Sequence, residues 1–151
     1  METNGLELPK RKVEYLKFLG EAGGPVKTSM IAERFRVDPS TVTKSMNELA
    51  AAGFVVHIPY HGVELSDKGR RYTGFLVKRH RILSLMLTHF GFSDQEACKE
   101  VSRFESLVSR EAVDRICRSM GHPHEGTCGK ITHDTGCMGV ARSMATGKER
   151  R

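Results

Sequence analysis

Asp38-Pro39-Ser40-Thr41-Val42-Thr43-Lys44-Ser45-Met46-Asn47-Glu48-Leu49-Ala50-Ala51-Ala52-Gly53 reads as one short helix with marked ends. Asp38 is placed to cap the first free N–H groups, Pro39 suits the first helical position, and Gly53 stands where a left-handed C-terminal residue is wanted. Val42, Met46 and Leu49 share one face at spacings of four and three. The other face carries Ser40, Thr41, Thr43, Lys44 and Asn47. Short hydroxyls, an amide and one ammonium let a helix lie deep in a groove, where long acids would be repelled by phosphate. A helix that enters the DNA major groove needs this at its N-terminal end. A solvated amphipathic helix of any small domain shows the same pattern, so the flanks decide.

On the N-terminal side, the spacing predicts a helix from about Pro9 to Leu19, with Val13, Leu16 and Leu19 buried, stopped by Gly23-Gly24-Pro25. A second helix is expected from about Thr28 to Phe35, with Ile31 and Phe35 inward and Thr28 as its cap. The link Arg36-Val37-Asp38 is as short as a helix-turn-helix requires. Met1 to Leu8 has little to order it. On the C-terminal side the period changes to two: Phe54-Val55-Val56-His57-Ile58-Pro59, the turn Tyr60-His61-Gly62, then Val63-Glu64-Leu65. Three helices and a hairpin make a winged helix, with His57, Tyr60 and His61 at the wing tip. Neutral imidazoles there add little to phosphate binding. The candidate DNA contacts are Thr28, Pro39, Ser40, Thr41, Thr43, Lys44, Asn47, Tyr60 and His61.

Ser66 is placed to cap a long helix reaching about Phe90, broadly apolar through Phe75, Leu76, Ile82, Leu83, Met86 and Leu87. Lys68, Arg70, Arg71, Lys78, Arg79 and Arg81 crowd this stretch, and at least two are expected to reach phosphate. Ser93-Asp94-Gln95-Glu96 is a capping box, and a further helix starts at Ser109. Three successive amphipathic helices without DNA-like decoration suit dimerisation. The fold class expected is therefore mainly α with a small β-hairpin. It divides into a winged-helix DNA-binding domain (9–70), a helical dimerisation domain (71–137), to which the resemblance given below adds metal binding, and a flexible tail (138–151).

The composition agrees. The chain has 151 residues, 38% of them hydrophobic, and a net charge of +6, which favours a polyanionic partner. No apolar run is long enough to cross a bilayer, and the polar N-terminus is unlike a secretory signal. A cytoplasmic protein is expected, whose four cysteines are free thiols, metal ligands or redox sensors rather than disulfides.

Several of these segments together resemble the diphtheria-toxin-repressor and manganese-transport-regulator family of metal-dependent transcriptional regulators. They are Thr28-Ser29-Met30-Ile31-Ala32-Glu33-Arg34-Phe35, Asp38-Pro39-Ser40-Thr41-Val42-Thr43, Ala52-Gly53-Phe54-Val55 and Leu65-Ser66-Asp67-Lys68-Gly69. Further matches are Lys78-Arg79-His80-Arg81, Glu100 to Glu105, Val108 to Val113, and an archaeal-like ending at Gly121-His122-Pro123 and Cys128-Gly129-Lys130. The length is that of the short, two-domain type without a C-terminal SH3-like domain. The resemblance implies a homodimer on palindromic double-stranded DNA, probing major grooves about 34 Å apart. It also implies a repressor switched by Fe(II) or Mn(II). Carried over residue by residue, the metal ligands fall on Glu14, His80, Cys98 and Glu105, whereas Ser84, Ser102 and Ser106 replace ligands of the family.

Three readings of the metal question stay open. One is the family-type divalent site with His80, Glu105, Glu14 and Cys98. The second is a Cys-based zinc or iron–sulfur site drawing on Cys98, Cys117, Cys128 and Cys137, with His122, His124 and His133 as nitrogen donors. The third is a regulator that has lost metal control, responding to an organic ligand or to none. Cys117 on an apolar face also packs well as a plain hydrophobe. An enzyme using Cys128 with His122 or His133 lacks a nucleophile elbow, phosphate loop or carboxylate pair, so no enzyme, organic substrate or membrane partner is expected.

Overall fold

The computed structural model describes residues 3–134 and Cys137. Their order is α1 (Lys10–Ala22), α2 (Thr28–Phe35), α3 (Pro39–Ala51), β1 (Val55–Ile58), β2 (Gly62–Leu65), α4 (Asp67–Thr88), α5 (Asp94–Phe104), a 3-10 turn (Glu105–Leu107) and α6 (Arg110–Ser119). The chain forms two compact units, Glu7–Val77 and Met1–Leu6 with Lys78–Arg151. The expected tail at 138–151 lies outside the described residues.

In the unit Glu7–Val77 the three helices pack through the periodic positions: Val13, Leu16, Ile31, Val42, Met46 and Leu49 are buried. Tyr15 meets Phe35 edge-on at 4.9 Å between centroids, which locks α1 to α2. Two expected caps are absent. Asp38 holds the cap position of α3 without a side-chain bond, and Thr28 is the first residue of α2 instead of its cap. Pro39 at the start of α3 has no N–H to satisfy, so a carboxylate cap is needed less. Gly53 takes the left-handed conformation anticipated for it, with φ +86°.

The hairpin pairs Val55 with Leu65 and Ile58 with Gly62 in antiparallel register. Val26 joins it by two backbone bonds to Val63, of 2.8 and 2.9 Å. Gly62 permits this approach, because a Cβ there would stand 2.1 Å from the Val26 carbonyl oxygen. Tyr60 turns the corner at φ +66° and is 97% exposed.

Ser66 caps α4 as anticipated, accepting from the Gly69 N–H at 3.0 Å and donating to the Gly53 carbonyl. The cap draws α4 onto the end of α3 so closely that a Cβ on Gly69 would lie 1.9 Å from the Phe54 carbonyl oxygen. Gly69→Ala is therefore expected to destabilise this unit by about 2 kcal/mol, because the backbone overlap outweighs a helix-propensity gain of at most about 1 kcal/mol. Thermal unfolding of the variant measures it, and a rise in Tm would contradict the packing described.

In the other unit, Ile82, Leu83, Ala97, Val101 and Val113 form the core. α5 opens with the capping box, and α6 with Ser109 accepting from the Ala112 N–H. The N-terminal residues, expected to be loose, are ordered by two arginines. Arg79 is fully buried and donates to the Gly5 carbonyl at 2.7 Å and the Val108 carbonyl at 3.1 Å. Arg110 donates to the Thr3 carbonyl at 3.1 Å.

Candidate functional site

The outer face of α3 is the first candidate. Ser40, Thr41, Thr43, Lys44 and Asn47 are all exposed. Ser40, Thr43, Lys44, Asn47, Glu48 and Ala51 line one open trough of about 580 Å³. Thr43 donates its hydroxyl to the Pro39 carbonyl at 3.0 Å, so it offers a partner mainly its methyl and an acceptor oxygen. Glu48 puts an acid on this face, and Lys12 answers it with a 2.6 Å ion pair. That hydrogen bond, with the Lys12 charge, holds the Glu48 carboxyl below its ordinary pKa. No local pattern could have revealed this pair, whose members are 36 positions apart. Pro39 is exposed at the helix start, Tyr60 and His61 at the hairpin tip, and Thr28 half-buried at the start of α2.

Of the cations after the hairpin, Lys68, Arg70 and Arg71 are exposed and open to a phosphate, whereas Lys78 and Arg79 are taken up inside the fold. Lys68 donates to the Ala52 carbonyl at 2.8 Å and covers the Phe54 ring at 4.6 Å, closing the C-terminus of α3. Arg70 pairs with Asp67 at 3.3 Å. Lys78 and Arg79 are buried, and Arg81 donates to the Lys130 carbonyl. Helical spacing turns Lys78 and Arg79 inward, away from any polyanion. Arg71 is exposed and keeps that option.

The second candidate centres on His80 and Glu105. His80 Nδ1 makes a short hydrogen bond to the Glu105 carboxylate, which is 5% exposed at the end of α5. The carboxylate takes Nδ1, and a further hydrogen bond links the His80 ring to Cys98. The ligand atoms of His80, Cys98 and Cys128 lie within 4.8 Å of one another. Burial pushes the Cys98 thiol up, but hydrogen bonds from Thr127, His80, Ser84 and Cys128 outweigh it and hold the thiol below its ordinary pKa. Burial and the neighbouring Cys98 raise Cys128. Of the two thiols, Cys98 is therefore the one that gives up its proton more readily, as metal binding requires. The imidazole and the two thiols fit a divalent transition ion, with the Glu105 carboxylate backing the imidazole. Glu14 belongs to the other unit, where its carboxylate pairs with Arg11 at 3.3 Å.

The third candidate is a separate cluster. Cys117, His122, His133 and Cys137 bring their ligand atoms within 4.8 Å of one another. The cysteines are therefore divided, with Cys98 and Cys128 in one cluster and Cys117 and Cys137 in the other. Among the described residues no four-cysteine iron–sulfur cradle is formed. Burial, with the charge of Cys137, pushes the Cys117 thiol up to about 12. Burial lowers the His133 pKa, favouring the neutral ring. Lys78 is pushed down by burial, but Cys137, Asp114 and Asp134 more than offset this and keep its ammonium charged.

Comparison with known proteins follows the same division. Residues 8–63 match the iron dependent repressor, N-terminal DNA binding domain, and residues 66–132 the iron dependent repressor, metal binding and dimerisation domain. The HTH-type transcriptional regulator MntR of Geobacillus kaustophilus is 36% identical over 104 residues, 69% of this chain and 74% of its own. The uncharacterized HTH-type transcriptional regulator MJ0568 of Methanocaldococcus jannaschii is 29% identical, over 66% of this chain and 80% of its own. The crystal structure of the hypothetical protein SSo2273 from Sulfolobus solfataricus superposes with a TM-score of 0.74 at 28% identity, covering 83% of this chain and all of the other. MntR and MJ0568 are both described as HTH-type transcriptional regulators. A winged helix, a partly buried imidazole–thiol group and these matches place the chain in the iron-dependent repressor family, the diphtheria-toxin-repressor and manganese-regulator group of metal-dependent, DNA-binding transcriptional repressors.

Proposed function

We propose that this chain is a cytoplasmic repressor that binds palindromic double-stranded DNA as a homodimer when Fe(II) or Mn(II) occupies the His80–Glu105 centre. Glu7–Val77 reads DNA, and the helices from Lys78 onward bind metal and dimerise. Neither an organic substrate nor a membrane belongs to this reading. The observation that carries it is the His80–Glu105 pair beside the activated Cys98 thiol. His80, Cys98 and Cys128 would hold the ion, with the Glu105 carboxylate behind the imidazole, and the ion would supply the positive charge that balances a thiolate. The imidazole suits either metal, and the thiols favour iron over manganese. His80 positions Glu105 through its hydrogen bond, and Ser84 is buried beside Cys98.

On the DNA side, Lys44 contacts phosphate or a guanine edge, while Ser40, Thr41 and Asn47 offer hydrogen bonds to bases or phosphate. Pro39 and Thr28 approach the backbone at their helix starts, and Tyr60 and His61 lie along it from the wing. The decisive experiment is titration of a palindromic operator under anaerobic conditions with Fe(II), with Mn(II) and with chelator. Tight binding only with metal is expected, and affinity indifferent to both metals and chelator would end the reading.

Homodimerisation has its own support. Phe90 and Leu107, in the unit matched to the family's dimerisation domain, are 74% and 78% exposed. Large apolar side chains left in water favour burial against a second copy. Leu107→Asp is expected to weaken self-association at least about tenfold while changing monomer stability by less than about 0.5 kcal/mol. Sedimentation equilibrium reads the first and thermal unfolding the second.

A further inference from the structure

Cys117 with His122, and His133 with Cys137, are two close pairs separated along the chain, and all four donor atoms converge. Cys117 Sγ stands 3.5 Å from His122 Nδ1 and 3.5 Å from His133 Nδ1. Cys137 Sγ stands 3.4 Å from His122 Nδ1 and 4.0 Å from Cys117 Sγ. A tetrahedral zinc with ordinary bond lengths separates its sulfur and nitrogen ligands by about 3.6 Å and its two sulfurs by about 3.8 Å. These four edges agree with that tetrahedron to within about 0.2 Å. No larger inorganic core fits, because a cluster of two or more irons spreads the ligands on opposite irons further apart.

The surroundings agree. His133 Nε2 donates to the Pro123 carbonyl at 2.9 Å, leaving Nδ1 with its lone pair turned into the cluster. Both sulfurs are buried: Cys117 is 0% and Cys137 is 1% exposed. Asp134 accepts from the Cys137 N–H at 2.8 Å and so fixes the last ligand's backbone. Cys117 ends on α6, and the other three ligands come from the segment after it.

We infer that Cys117, His122, His133 and Cys137 form a closed, structural zinc site, separate from the His80–Glu105 centre. All four tetrahedral positions are filled by protein, which leaves none for water or substrate; that is the signature of a structural ion rather than a catalytic or exchangeable one. Two thiolates, two neutral imidazoles and Zn(II) sum to zero net charge, which suits burial. The site pins the segment from Gly121 to Ile131 against α6. Thr127 and Cys128, which face Cys98, lie on that segment. Zinc therefore holds part of the regulatory centre in place without responding to the regulatory metal. The inference does not depend on the proposed function.

The full chain, purified without chelator, is expected to carry about one zinc per chain by elemental analysis. Replacing zinc with Co(II) should give the intense visible bands of a tetrahedral ion with thiolate ligands. Cys117→Ser and His133→Asn should each weaken zinc retention more than about a hundredfold. His80→Gln should leave the zinc in place, which separates this site from the regulatory one. Wild-type protein that holds no zinc and gives a pale octahedral Co(II) spectrum would overturn the inference. So would undiminished zinc in folded Cys117→Ser, or loss of the zinc in His80→Gln. The Co(II) spectrum needs only the wild-type chain, so misfolding of a variant does not spare the proposal.

Discussion

His80→Ala is expected to abolish the metal response of DNA binding, lowering apparent metal affinity more than about a hundredfold. The imidazole does two things at once. It orients the buried Glu105 carboxylate and offers its second nitrogen to the ion. Without it, the metal can no longer supply the differential binding that shifts the protein to its DNA-competent state. The same change should cost about 2 kcal/mol without metal, because a buried carboxylate loses a strong hydrogen bond. For a chain of this length that is a fall in Tm of about 5 °C. His80→Gln separates the two roles. It keeps a donor for Glu105 and removes the imidazole, so stability should largely return while the metal response stays lost. If His80→Gln restores the response as well, the residue is structural and the regulatory centre lies elsewhere.

The second large effect belongs to the reading helix. Lys44→Glu should weaken operator binding about a hundredfold or more, because a dimer loses two phosphate-directed cations and gains two repulsive anions. Lys44→Ala should cost about tenfold and flatten the salt dependence by roughly two counterions per dimer. Neither should move Tm much, since Lys44 is exposed and its nearby acid, Glu48, is already paired with Lys12. Fluorescence anisotropy on operator DNA across a salt series gives both quantities. A salt slope unchanged in Lys44→Ala would remove this helix from the DNA contact.

Much of this architecture could be read from local pattern. The spacing of Val42, Met46 and Leu49, Pro39 at the helix start and Gly53 past its end specify α3, because each acts within a few residues. The hairpin and the capping box at Ser93 were legible for the same reason. The cations from Lys68 to Arg81 were not. A basic residue on a broadly apolar helix has the same sequence signature whether it meets phosphate, a buried carbonyl or an aspartate. Only long-range packing sends Arg79 to Gly5 and Lys78 to Asp114.

The cysteines mark the same boundary. Their number and their histidine neighbours, visible in the chain, pointed to metal chemistry. None forms a close-spaced pair, so the linear order could not say which belonged together. By itself the sequence determined the reading helix, the wing and the identity of the donor atoms, because these follow from neighbouring residues and side-chain chemistry. Only the tertiary structure sorted Cys98 and Cys128 toward His80, and Cys117 and Cys137 toward His122 and His133. A metal site is defined by distances of a few ångströms among residues far apart in the chain, and folding alone sets those distances.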